Sequence, residues 1–111
     1  RAKEEEEANR LIEDAKLLEE IGCFAIVLEK IPAELAVKVA KEVQIPIIGI
    51  GAGNGVDGQV LVVHDMLGIN NEFNPRFLRK YNNLYDQMMQ SFKEYINDVR
   101  SGDFPNDKEQ Y

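Results

Sequence analysis

Few side chains in this chain of 111 residues could do chemistry, and three places concentrate them. The first is Glu29, which closes the run FAIVLE: five apolar residues lead into a carboxylate, and Pro32 follows three residues later. An acid at the mouth of an apolar strand can be desolvated, which suits it to general-base chemistry. A solvated turn glutamate is the competing reading. The second place is the glycine-rich stretch GAGNGVDG, from Gly51 to Gly58. Gly53, Gly55 and Gly58 match G-x-G-x-x-G. The dinucleotide fingerprint must follow a strand and open a helix, however, and here the strand-like QVLVV comes next. A dinucleotide site is therefore rejected. Two readings remain: a rim loop that brings backbone close to a ligand, with Gly51 and Gly53 as candidates, or plain turns at Asn54-Gly55 and Asp57-Gly58. The third place is His64-Asp65. His64 is the sole histidine, and without a second histidine or a cysteine cluster nothing points to zinc within this chain. His64 reads as a hydrogen-bonded structural residue or, less directly, as a ligand contact.

These residues need elements to position them. The apolar positions Leu11, Ile12, Ala15, Leu18 and Ile21 have helical spacing, and Gly22 is a natural stop. Residues 4 to 7 are four consecutive glutamates, suited to the positive end of a helix dipole. CFAIVL, residues 23–28, reads as a strand buried on both faces, as in a parallel sheet. Pro32 and Glu34 then begin a helix with an apolar stripe at Leu35, Ala36, Val39, Ala40 and Val43. IPIIGI, residues 45–50, is a second buried strand, and a third runs over 60–63. The last segment begins at Asn74-Pro75 and predicts a helix over 75–100. Its stripe from Phe77 through Met88, Phe92 and Tyr95 to Val99 reads as packing against a core or a neighbouring subunit.

Alternating helices and strands predict parallel βαβ units. In such folds ligands bind beyond the carboxyl ends of the strands, so Glu29, the 51–58 loop and His64-Asp65 are expected on one rim. Three parallel strands are too few to cover their own faces and edges. The chain also opens RAKEEEEANR, without Met or a leading strand, which reads as a start partway through a protein. An apolar share of 44% suits a globular domain, and a formal charge of -7 argues against nucleic acid or an anionic membrane as partner. No apolar run reaches the roughly 18 residues of a membrane span. The lone Cys23 excludes a disulfide within the chain and fits a reducing, cytoplasmic compartment as a small buried hydrophobe.

The stretches FAIVLEKIPAELA, IPIIGIGAG, DGQVLVVHDMLG, FNPRFLRKY and SGDFP, in this order, resemble the ketopantoate hydroxymethyltransferase family. The resemblance runs from about Glu6 to Phe104. GIGAG alone is weak; GIGAG with DGQVLVVHDMLG after VLEKIP is specific. The resemblance implies the C-terminal portion of a (β/α)8 TIM barrel of the phosphoenolpyruvate/pyruvate-like superfamily. Residues 1–111 would be part of one such domain, which needs about 250 residues, with its last three strands at 23–28, 45–50 and 60–63. It implies transfer of a hydroxymethyl group from 5,10-methylenetetrahydrofolate to 3-methyl-2-oxobutanoate, giving 2-dehydropantoate for pantothenate synthesis. Glu29 matches the position of the family's proton acceptor. The resemblance also implies a Mg²⁺ ion that polarises the keto acid, with its carboxylate ligands in an N-terminal part and none in this chain. This stretch alone is then expected to be inactive, and the intact protein to form a decamer. A reading of another class is a non-catalytic interaction piece that docks through its acidic and Met/Tyr-rich helices. A small flavodoxin-like domain binding phosphate at the glycine loop would need more strands than the chain provides.

Overall fold

The computed structural model describes residues 2–111 and divides them into two compact units, residues 1–61 and 62–111. In the first unit helix α1 (Ala2–Glu20), strand β1 (Ile26–Glu29), helix α2 (Ala33–Glu42), strand β2 (Ile47–Ile50) and the short strand β3 (Gly58–Gln59) follow one another. The three strands form one parallel sheet in the order β1-β2-β3. The expected α/β class with parallel strands is therefore present as a small sheet.

Helix α1 ends where a glycine lets it. Gly22 has φ +104, its N–H donates to the Glu19 carbonyl, and the Cys23 N–H donates to Leu18. These two bonds satisfy carbonyls that the helix itself leaves open. The core gathers Ala15 of α1, Leu28 of β1, Ala36 and Val39 of α2, then Val43, Ile47 of β2 and Ala52. Both helices thus cover the sheet face that carries Leu28 and Ile47. The opposite face carries Val27, Glu29, Ile48 and Ile50, and Val27 is 60% exposed. Burial on both faces is expected of such strands; among the described residues only one face has helices over it.

The strands are also shorter than the apolar runs. The run 23–28 pairs only from Ile26 and the run 45–50 only from Ile47, and Phe24 is left exposed. The reason is the supply of backbone donors. The Gln44 and Ile45 N–H groups both donate to the Glu19 carboxylate, at 2.6 and 3.0 Å, and Pro46 has no N–H. The first ladder bond is therefore Ile26 N–H to the Pro46 carbonyl. The third strand, expected over 60–63, lies at Gly58–Gln59 instead, with one further rung from Val60 N–H to the Gly49 carbonyl. Strand β2 turns away at Gly51, φ +66, so residues beyond Val60 have no partner from it. The Val62 carbonyl accepts from Asp65 and Met66 instead, and the chain coils.

In the second unit, α3 (Val63–Met66) is a single turn and α4 (Leu84–Ser101) is the long helix. The expected start near Pro75 is corrected to Leu84. Pro75 opens only an isolated turn, with its carbonyl accepting from Leu78. The N–H groups of Tyr81, Leu84 and Tyr85 donate to the carbonyls of Met66, Leu67 and Gly68. Those carbonyls satisfy the first donors of α4, the role a side-chain cap usually fills. Gly102, φ +80, ends the helix, and a capping box at Asn106 and Glu109 closes a last 3-10 turn. No residue of α4 is buried, and Phe92 and Tyr95 are exposed. Of the expected stripe, Phe77, Tyr85 and Met88 are half-buried, and Val99 is exposed as well.

Glu19 is a half-buried acid in the last turn of a helix, where its charge opposes the dipole. Its two backbone bonds explain it. Glu19→Ala is expected to lower stability by about 1–3 kcal/mol, with a smaller loss for Glu19→Gln, both read as shifts in the urea midpoint.

Candidate functional site

Glu29 is the last residue of β1 and stands opposite Ile50 in the ladder. Alternation along β1 buries Leu28 against the helices and turns Val27 and Glu29 to the open face. The carboxylate is exposed and makes no hydrogen bond or ion pair among the described residues. The next residue departs from ordinary backbone: Lys30 has φ +52, and its N–H donates to the Ile50 carbonyl at 2.9 Å. Beyond it Pro32 leads into α2, whose first bond runs from Ala36 N–H to the Pro32 carbonyl. A groove between α1 and α2 is lined by Leu11, Ile31 and Leu35, with Glu7, Lys30 and Lys38 among its charged groups. Glu29 is not among its walls, so groove and carboxylate are separate features.

The glycine loop lies at the carboxyl end of β2, in the same unit as Glu29. Its lack of side chains is used against α2. A methyl group on Gly53 would lie 2.5 Å from Ala33 Cβ and 3.1 Å from Ala33 Cα, and one on Gly55 would overlap Val37. Gly53 also has φ +78. Close backbone approach is thus required here, and the neighbour approached is the start of α2. Two polar side chains hold the loop. The Asp57 carboxylate accepts the Ile47 N–H at 2.8 Å while the Asp57 N–H donates to the Ile47 carbonyl. Gln59 Nε2 donates to the Gly53 carbonyl at 2.8 Å.

Asp57, Gln59 and Glu19 were not apparent as positioning residues from sequence. The acid in the last turn of α1 was the available signal for Glu19, because a helix C-terminus disfavours it. Asp57-Gly58 looks like any turn, and only the fold brings it beside Ile47.

His64 lies in the second unit, within α3. It is exposed, and its imidazole has no hydrogen bond among the described residues. Its backbone carbonyl, not its ring, is engaged, accepting from Ile69. The described residues bring together no group of three or more His, Cys, Asp and Glu side chains able to hold a metal ion. For the Mg²⁺ expected from the resemblance, the described residues offer no such donor set. No helix among the described residues is long and apolar enough to cross a membrane. The arrangement places one exposed carboxylate at the end of β1, followed by a left-handed turn at Lys30, with the glycine loop at the end of the neighbouring strand β2.

A family model described as ketopantoate hydroxymethyltransferase matches residues 1–107. Curated proteins named 3-methyl-2-oxobutanoate hydroxymethyltransferase are similar along the whole chain. The one from Parabacteroides distasonis is 70% identical over 111 residues, that from Christiangramia forsetii 68% and that from Flavobacterium johnsoniae 67%. Each match covers 100% of this chain and 41% of the relative. The chain thus spans about two fifths of the length of these relatives.

Two glycines separate steric from conformational demand. Gly22→Ala, with nothing within 4 Å of the added methyl, is expected to cost about 1–2 kcal/mol for its left-handed backbone. Gly53→Ala adds overlap with Ala33 and is expected to cost about 3 kcal/mol. Urea unfolding of the two variants checks the difference.

Proposed function

Since this chain belongs to the ketopantoate hydroxymethyltransferase family, we propose that it forms part of an enzyme moving a hydroxymethyl group from 5,10-methylenetetrahydrofolate to 3-methyl-2-oxobutanoate. The product is 2-dehydropantoate, a precursor in pantothenate synthesis. In this reading Glu29 takes the proton from C3 of the keto acid. The C–H electron pair passes into the enolate, and the enolate carbon forms the new bond to the folate-borne methylene as one of its carbon–nitrogen bonds breaks. Water then supplies the hydroxyl as the second carbon–nitrogen bond breaks and tetrahydrofolate leaves.

The observation that carries this is the state of Glu29. It stands at the carboxyl end of a parallel strand, where α/β enzymes assemble their sites. Its carboxylate is committed to no partner among the described residues, while Glu19 and Asp57 both accept backbone N–H groups. A base must have a lone pair available for the substrate proton.

The open face of the sheet supports a larger architecture. Parallel strands are ordinarily covered on both faces, yet Val27 is exposed and Ile48 and Ile50 are only half-buried. A closed (β/α)8 barrel, completed by sequence corresponding to the rest of the relatives' length, would bury that face and put Glu29 at its mouth. The Mg²⁺ that makes the C3 proton more acidic would be held by carboxylates of that remainder. Assembly of copies into a decamer would give the exposed stripe of α4 a surface to pack on, and a cytoplasmic location suits a chain with one half-buried thiol.

The exposed stripe of α4 also favours the second reading, in which this stretch serves docking without catalysis. One substitution in the full-length enzyme separates the two. Glu29→Gln is expected to leave keto acid binding intact, read by calorimetry, and to slow C3 proton–deuterium exchange, read by NMR, by about 10²–10⁴-fold. Exchange at the unsubstituted rate would remove Glu29 from the mechanism.

A further inference from the structure

We propose that Lys30 is a positioning residue for Glu29, and that its left-handed backbone, not its ammonium group, does the positioning. The proposal rests on the reading of Glu29 as the proton acceptor. Lys30, at φ +52, is the one non-glycine residue of positive φ among the described residues. Lysine has no side-chain device that eases this conformation, unlike Gly or Asn. Strain of this kind persists only where the surroundings over-determine it, and such positions cluster at functional sites.

The surroundings make two demands that an extended residue 30 could not meet together. Along β1 the side chains alternate: Ile26 and Leu28 point to the helices, while Val27 and Glu29 point to the open face. Continued alternation would send Lys30 to the helix side and Ile31 to the open face beside Glu29. Ile31 instead packs against the core cluster. The left-handed turn at Lys30 breaks the alternation once, so Ile31 reaches the core while Glu29 keeps its place on the last rung. An extended residue 30 would either pull Ile31 from the core or turn Glu29 off its face.

The turn is bounded on both sides, so the strain cannot relax by drift. On one side the Lys30 N–H is held by the Ile50 carbonyl at 2.9 Å. On the other, Ala33 at the start of α2 abuts Gly53, where there is no room for one added methyl. Pro32 fixes the backbone between them at φ -56. The residue that must absorb the geometry is Lys30.

A series at this position in the full-length enzyme tests the proposal: Lys30→Gly, Lys30→Asn, Lys30→Ala and Lys30→Val. All four remove the charge, and they differ in how readily they adopt positive φ. The kcat for C3 proton exchange is expected to follow the order Gly and Asn, then Ala, then Val. The Gly-to-Val ratio is expected to be about tenfold or more, while the KM for the keto acid changes by less than about twofold. If Lys30→Val does not fold, the ratio of Gly to Ala carries the test with the same expected direction. Equal kcat across the series, or a fall in thermal stability with kcat unmoved, overturns the proposal. So does a Lys30→Gly as slow as Lys30→Val, because the lost ammonium would then be responsible. Glu29→Gln measured alongside keeps the two readings apart. Its retained exchange would sink the base assignment, whereas its loss together with a flat Lys30 series would sink the positioning role alone.

Discussion

The parallel pairing of β1 with β2, in the register Ile26 to Ile47, is the constraint on which the first unit depends. It puts Leu28 and Ile47 on one face, where α1 and α2 can bury them with Ala36 and Val39. It puts Val27, Glu29, Ile48 and Ile50 on the other. A slip of one residue would exchange the faces and carry the acid into the core. Burying an unpaired carboxylate costs several kcal/mol, so the register that makes the core also excludes Glu29 from it. The same register brings the Ile50 carbonyl opposite the Lys30 N–H and starts the turn into α2.

Acids in this unit have divided tasks. Glu19 joins the end of α1 to the entry of β2 by accepting two backbone N–H groups. Asp57 joins the glycine loop to the first residue of β2 in the same manner. Charged acceptors make stronger bonds to backbone N–H than neutral ones do, so each acid closes a turn that would otherwise leave donors open. The exposed ion pairs of Lys16 with Glu13 and Glu42, at 3.7 and 3.6 Å, contribute little beside these. Glu29 has no such task among the described residues.

The second unit is built on backbone logic more than on a core. Gly68 ends α3 with φ +66, and a methyl group there would overlap the Asn82 carbonyl. The freed carbonyls of Leu67 and Gly68 then receive the first N–H groups of α4. One carbonyl cluster thus ends a short helix and starts a long one. The ring contact of Tyr95 with Phe104, centroids 5.7 Å apart, folds the tail back on the helix but leaves Phe92, Ile96 and Val99 in solvent.

Residue order alone determined the α/β class, the parallel sense of the strands and the place of Glu29 at a strand end, because these follow from local periodicity and from short connections. The motifs around VLEKIP and GIGAG also carried the family. Only the tertiary structure decided where pairing begins and ends. A strand exists where a neighbour supplies donors and acceptors, and Glu19, Pro46 and Gly51 withdraw them at positions the apolar runs do not reveal. Helix α4 starts nine residues beyond Pro75 for a related reason: its cap is a set of carbonyls from another element. The glycine loop was legible as a close backbone approach, but only the fold brings Ala33 to it. The strain at Lys30 was invisible in KIP, since it arises from two distant demands, a rung on Ile50 and a core seat for Ile31, that meet only in the folded chain.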